Sequence, residues 1–315
     1  LSSSSNSRPV VQLSEAERLK MLAPRAGRLR CVLDTDTYNE IDDQFAIVQM
    51  LLSPDRFELQ AIYAAPFHND RCNSPGEGME LSYVEVLRLL DRLDTPPDGL
   101  VYRGVTDYVG PDKLARPAAA VDDLVARARA STPDDPLHVV AIAALSNIAS
   151  ALLVAPEIAD RMVVIWLGGH ALDWPHQQEF NLRQDVGAVQ VVYDSGVPMV
   201  VVPCMGVVSH LHSTIPEIED QVEPHGEIGR FLAQRFKQYN VDNAVGWSKE
   251  IWDMAPVGWL LDPDWAPSIL VPTPIMTSDT TYSFDRSRHL MRYVTFVHRD
   301  PILRDLFAKL AARMH

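Results

Sequence analysis

The stretch Val32-Leu33-Asp34-Thr35-Asp36-Thr37-Tyr38-Asn39-Glu40-Ile41-Asp42-Asp43 places four aspartates and a glutamate between a short apolar run and an apolar helical pattern. The run Arg30 to Leu33 reads as a buried strand, and Gln44 to Leu52 as the helix that follows it. The same alternation continues outward. Leu59 to Ala64 is followed by a helical pattern from Ser82 to Leu93, and Leu137 to Ala141 by one from Asn147 to Val154. Met162 to Leu167 reads as a strand, Val186 to Tyr193 as a helix and Met199 to Val202 as a strand. Strands separated by helices predict an α/β fold, doubly wound, with a mostly parallel central sheet and helices on both faces. Glu217 to Trp259 looks largely helical, Thr273 to Val297 a late strand or hairpin excursion, and Pro301 to Met314 the closing helix. No internal repeat or composition shift divides the chain. Residues 1–28, a serine-rich tract and the helix-like piece Ser14 to Leu22, read as a frayed or peripheral extension, and 29–315 as a single domain.

The chain of 315 residues is 47% hydrophobic and 22% charged, the balance of a globular protein rather than a disordered or fibrous one. Its net charge of −14 argues against nucleic acid or an anionic membrane as the main partner and favours a small molecule or a metal ion. No apolar stretch approaches the length of a membrane span, and Leu1 to Arg30 lacks the apolar core of a secretory signal, so a cytoplasmic location is expected. Three scattered cysteines, Cys31, Cys72 and Cys204, form neither a disulfide framework nor a metal knuckle.

In open α/β sheets ligands bind at the carboxyl ends of the strands. That rule returns attention to Asp34, Asp36, Asp42 and Asp43, which repel one another unless a hard cation neutralises them. Two other readings stay open on these residues alone. Asp42 and Asp43 suit a helix N-terminus without any metal. Asp34-Thr35-Asp36-Thr37 also resembles the opening of a haloacid-dehalogenase-type, Mg²⁺-dependent phosphatase with Asp34 as nucleophile, although Tyr38 departs from that motif.

The stretch resembles more closely the DxDPGxDD signature of the inosine-uridine-preferring nucleoside hydrolases, with a loop two residues longer. Further segments resemble the same family in order. Ala141 to Ala149 is similar to its TGPLTNIA segment, Trp166-Leu167-Gly168-Gly169 to its MGG turn, Glu179-Phe180-Asn181 with Asp185 and Ala188 to EFNxxxDPxA, and Trp252-Asp253-Met254-Ala255 to HDxxA.

That resemblance implies hydrolysis of a ribonucleoside N-glycosidic bond through a Ca²⁺ site, by a homodimer or homotetramer. It implies Asp36, Asp43, Asp253 and the main-chain carbonyl of Ile142 as metal ligands, and Asp36 also as the general base. Asp42 and Asn181 would hold the ribose diol edge, Glu179 the 5′-hydroxyl, and Asn69 would close the second strand-end motif. Trp252 replaces the family's histidine before the last calcium aspartate, which resembles the purine-specific branch in which an indole stacks on the base. Tyr83 or Phe67 would supply the opposite face, and Trp252 packed in the core beside Trp247 and Trp259 is the plainer alternative. Asp173, beside Trp174, stands where the family often carries asparagine for the 5′-hydroxyl, which opens the door to a non-standard ribosyl substrate or a ligand binder without turnover. Of the ten histidines, His68, His170 and His176 lie in strand-end loops and His170 is the candidate substrate contact. His210, His212, His225 and His315 read as surface or structural.

Overall fold

The computed structural model describes residues 13–239 and 245–313. The strands are β1 Leu29–Thr35, β2 Phe57–Ala64, β3 Val101–Arg103, β4 Leu137–Ile142, β5 Met162–Leu167, β6 Met199–Val202, β7 Ser268–Pro272 and β8 Leu290–Val294. They form one sheet in the order β3-β2-β1-β4-β5-β6-β8-β7. Every neighbouring pair is parallel except β8 with β7, where an antiparallel strand closes one edge. The short apolar runs are central because both of their faces are covered. On β1, Cys31 and Leu33 enter one apolar layer while Val32 enters the other.

The strand order reverses between β1 and β4. Chain from β1 therefore leaves toward one side of the sheet and chain from β4 toward the other, opening a crevice beyond their carboxyl ends. Register aligns Thr35 with Ile142 at that crevice, so the acidic loop after β1 faces the end of β4.

Helix bounds fall close to the periodic reading at Asp42–Leu51, Ser146–Val154 and Val186–Ser195, whereas Pro75–Arg92 begins well before the expected Ser82, behind the cap Ser74 whose side chain accepts from the Glu77 N–H. Two elements lie in a span that the alternation left unassigned, β3 and the helix Ala119–Arg129. The helix Glu15–Leu22, within the stretch read as an extension, carries a capping box between Ser14 and Glu17 and docks on the sheet. Met21 and Leu22 are buried, and Arg292 Nε donates to the Leu22 carbonyl at 2.8 Å. The serine-rich residues 1–12, Met314 and His315 lie outside the described residues.

The segment Glu217 to Trp259 is less helical than expected. Beside helices Gly226–Tyr239 and Met254–Leu261 it contains a strand, Ser248–Glu250, paired with His212–Thr214. The late excursion holds a small hairpin, Ile275–Met276 with Tyr282–Ser283, and then β8, which rejoins the main sheet. A helix Arg299–Ala312 ends the described chain. Among the described residues no helix is long and apolar enough to cross a membrane.

Candidate active site

Three strand ends and two helix N-termini build the site. Asp36 follows β1, and the loop after it turns back so that Asp42 and Asp43 occupy the first turn of helix Asp42–Leu51. Ile41 caps that helix without a side-chain bond, and Asp253 caps Met254–Leu261 likewise, so neither helix start consumes a carboxylate in capping. Instead Asp42, Asp43 and Asp253 converge, with one ligand atom from each within 4.8 Å of the others. Both helix N-termini add partial positive charge toward the group.

A cavity of about 280 Å³ opens here. Of the expected site residues, Asp36, Asp42, Asp43, Ile142, His170, Glu179, Asn181, Trp252 and Asp253 all line it. Asn69 does not: its Nδ2 donates to Asn39 Oδ1 at 2.7 Å, and Asn39 is the residue that reaches the cavity. The structure therefore places Asn69 beside Asn39 rather than on the cavity lining. Phe67 is wholly buried and Tyr83 lies under Arg103, its ring centroid 3.9 Å from the guanidinium carbon, so neither supplies a second face for a base. Apolar lining comes instead from Leu167, Phe180 and Met205 with Ile142. Asp173 is exposed and off the lining, as are His68 and His176, which leaves His170 as the one cavity histidine among the described residues.

Asp34 is also absent from the cavity. It is fully buried behind Asp36, and Asn147 Nδ2 donates to its Oδ1 at 2.7 Å. A nucleophile must reach its substrate, so the phosphatase reading, which rests on Asp34, fails on position.

Burial dominates the electrostatics. Desolvation, then the charges of Asp43 and Asp42, pushes the Asp36 carboxyl well above the usual range. Asp253 is raised for the same reasons, and Asp43 is pushed up to about 8, with a hydrogen bond from Thr35 Oγ1 at 2.5 Å as the main opposing influence. Asp42 rises only to about 6, because the Lys249 ammonium offsets its burial. Lys249 is itself buried and pairs with Glu40 at 2.6 Å, bracing the loop. Such mutually repelling carboxylates need a compensating charge. Asp36 Oδ2 is buried with no hydrogen-bond partner, and the donors are all hard oxygens, so the residues fit a divalent cation. The trio with ligand atoms within 4.8 Å of one another contains Asp42, and Asp36, a ligand implied by the resemblance, lines the same cavity.

The opposite wall depends on two glycines. Gly169 has φ +70°, a conformation that side chains disfavour, and its N–H donates to Glu179 Oε2 at 3.0 Å. A Cβ on Gly168 would strike the Trp166 ring at 2.1 Å. Glu179 also accepts from the backbone N–H groups of Asn181, at 2.9 Å, and Leu182, at 3.0 Å. Burial nevertheless pushes it up to about 7. Asn181 Nδ2 donates to the Leu167 carbonyl at 3.2 Å, holding its amide at the end of β5. Behind this wall, Asp185 accepts from Val109 and Gly110 backbone N–H, Ser146 Oγ and Ala188 N–H, tying three loops together. His170 Nδ1 accepts from the Met205 N–H at 3.4 Å, and its ring is pushed down to about 4 by burial and by His176. Trp252 is half-buried: it packs against the same apolar layer that holds Trp259 and Trp247 and also lines the cavity.

Sequence reading missed Asn39, Glu40, Gln178, Arg183, Cys204 and Met205 as lining residues. The strand-end rule already pointed to Cys204 and Met205, just after β6, while the others flank motif residues that were named.

The model of the inosine-uridine preferring nucleoside hydrolases matches residues 77–299. The pyrimidine-specific ribonucleoside hydrolase RihA of Shigella boydii serotype 4 (strain Sb227) is 26% identical over 264 residues, covering 75% of this chain and 80% of that one. Among solved structures, the purine-preferring ribonucleoside hydrolase from Gardnerella vaginalis aligns with a TM-score of 0.70 at 20% identity, over 90% of this chain and 98% of that one. An inosine-guanosine nucleoside hydrolase aligns with a TM-score of 0.70 at 19% identity, over 90% and 99%.

Proposed function

The chain belongs to the inosine-uridine preferring nucleoside hydrolase family and is a ribonucleoside hydrolase, and from that premise we propose that it cleaves purine ribonucleosides to free base and ribose with the aid of Ca²⁺. The observation that carries the reading is the convergence of Asp36, Asp42, Asp43 and Asp253 in one cavity with Glu179, Asn181 and Trp252.

Cleavage passes through an oxocarbenium-like ribosyl cation, so the site must hold the sugar, direct water to its anomeric carbon and let the base depart. Asp43, Asp253, Asp36 and the Ile142 carbonyl would hold the cation, with Asp42 close enough to serve as a ligand or as the acceptor of the ribose diol. When bound, such a cation lends positive charge that acidifies water and grips vicinal hydroxyls. Asp36 takes the proton from the attacking water. Its raised proton affinity makes it a better base than an exposed aspartate. Asn181 steadies the diol edge, and Glu179 accepts from the 5′-hydroxyl. Three backbone N–H groups fix its orientation and leave acceptor capacity for that hydroxyl, which supports this role. The abundance of carboxylates around the ring also favours the developing positive charge on the sugar.

Trp252 supports the purine preference, since an indole beside the reaction centre stacks best on a large flat base. His170 donates rather than protonates: the Met205 N–H at Nδ1 puts the ring proton on Nε2, and the lowered pKa keeps the ring neutral at pH 7. The resemblance further supports a homodimer or homotetramer in the cytoplasm, with residues 29–315 as one domain and 1–28 as an extension. Sedimentation of the purified protein tests the assembly.

The decisive experiment measures free base and reducing sugar from inosine, guanosine, adenosine, uridine and cytidine, with and without a Ca²⁺ chelator. Chelator-sensitive purine release supports the whole reading. Preferential release of uracil or cytosine would transfer the specificity to pyrimidines, and activity indifferent to chelation would remove the cation.

A further inference from the structure

At the amino-terminal edge of the sheet, away from the catalytic cavity, lies a second cavity of about 580 Å³. It opens between helix Glu15–Leu22, the turn Asp194–Gly196 that leads into β6, and residues 286–290 at the start of β8. Three arginines line it: Arg18, Arg286 and Arg288.

Their environment is unusual. Arg18 is 5% exposed, and its Nη1 is buried with no hydrogen-bond partner. Its guanidinium lies over Gly196, so that a Cβ there would sit 3.6 Å from Nη2. Arg288 gives Nη2 to the Tyr193 carbonyl at 2.8 Å and to Asp194 Oδ1 at 2.9 Å, yet its Nε is also buried without a partner. Arg286 is exposed and forms no ion pair among the described residues. Against these stand two lining carboxylates, Glu15, which is exposed, and Asp194, which is already paired with Arg288. The carbonyl end of helix Val186–Ser195 is answered by Arg288 at Tyr193. His289, also on the wall, is pushed down to about 4, first by burial and then by Arg18 and Arg288, against the opposing charge of Asp194. This positive pocket belongs to a chain whose net charge is −14.

A guanidinium cannot shed its charge, and burying one without a partner is costly unless something pairs with it. We propose that this cavity is an anion site that takes a phosphate group, as free phosphate or as a phosphomonoester, clamped by Arg18, Arg286 and Arg288. Phosphate offers the oxygen geometry that guanidinium groups meet two bonds at a time. The cavity exceeds what a bare phosphate fills, which leaves room for an ester body along Leu13 and Leu290. Because the site lies beyond the strand starts and the nucleoside cavity beyond the strand ends, its ligand does not compete with the nucleoside.

Calorimetric titration of the whole protein with inorganic phosphate and with glycerol 3-phosphate tests this. Saturable binding is expected, weakened at least about tenfold in Arg286→Glu, whose exposed position leaves folding intact, and similarly in Arg18→Leu. Tighter binding of the ester identifies a phosphomonoester, and equal affinities identify phosphate itself. Nucleoside hydrolysis in Arg286→Glu without added phosphate is expected to match the wild type. The inference is overturned if the wild type shows no saturable binding at millimolar phosphate, or if Arg286→Glu binds as tightly as the wild type.

Discussion

Asp36 carries the heaviest chemical demand on any single side chain. It is buried, one of its oxygens has no hydrogen-bond partner, and burial together with its acidic neighbours raises its proton affinity. Replacing it with Asn keeps the shape but removes the base, so kcat is expected to fall on the order of 10³-fold while the melting temperature holds or rises. A variant that retains wild-type turnover would reassign the base. The ligand question is also settled at single residues. Asp42→Asn and Asp36→Asn are expected to weaken Ca²⁺ binding unequally, and calorimetry ranks them: the larger loss marks the direct ligand. For Trp252→Ala, kcat/KM for inosine is expected to fall about 100-fold, against less than about threefold for nitrophenyl riboside, whose leaving group needs no assistance. Equal losses on both substrates would mean that the indole only packs.

At the scale of elements, the walls of the site are loops made rigid by carboxylates that accept several backbone N–H groups. Asp185 is the clearest example, with four donors from three segments meeting on its two oxygens. Asp185→Ala leaves buried donors unpaired and is expected to cost about 3 kcal/mol of stability, read as a lower denaturation midpoint in urea. Activity at low temperature should suffer less than stability, since Asp185 does not line the cavity. Element boundaries were legible where the pattern was long and apolar: β5 and β6 match the apolar runs residue for residue. They were illegible where pairing is remote. β3 is three residues, half-buried Val101 and Tyr102 and exposed Arg103, that become a strand only because β2 lies beside them. Ser248–Glu250 likewise has no strand pattern of its own and is defined by His212–Thr214. The helix Ala119–Arg129, by contrast, does show helical spacing in its buried Ala120, Val121, Leu124 and Ala128, and the alternating series simply passed over it.

The whole molecule stores electrostatic strain in its acidic centre, and this sets how stability varies with pH. Asp43 is pushed up to about 8, and Asp34 and Glu179 to about 7, all chiefly by burial. Unfolding returns these groups to the usual carboxylate range, so between about pH 4 and 8 the folded state holds more protons than the unfolded one. Stability from this source is therefore present at the acid end and lost as pH rises through the folded pKa values. The rings of His138, His170 and half-buried His289, pushed down to about 4 chiefly by burial, act in the opposite sense up to the ordinary histidine range, where the unfolded chain still takes up protons, so the carboxylate trend is read above about pH 7. Chelated protein is expected to melt at a lower temperature at pH 8.5 than at pH 7.5, and saturating Ca²⁺ to abolish or reverse that difference, because a cation binds best to ionised ligands. A melting temperature that rises with pH under chelation would contradict the strained cluster.

The sequence by itself determined the α/β alternation, the strand-end loops and the residue types that crowd them, because apolar periodicity and local acid density are properties of neighbouring residues. Acid density singled out Asp36, Asp42 and Asp43, and the family resemblance added Glu179, Asn181, Trp252 and Asp253; all seven line one cavity. What only tertiary structure decided is which near-equivalent residues face inward. Asp34 and Asp36 are two residues apart on and just beyond the same strand, yet one is held behind the site by Asn147 and the other lines it. Asn39 lines the cavity while Asn69, which donates to it, does not, a distinction that no local pattern encodes. The physical reason is range: hydrophobic pattern acts over a few residues, whereas the choice of the inward carboxylate depends on partners such as Asn147 and Lys249 that lie more than a hundred residues away along the chain.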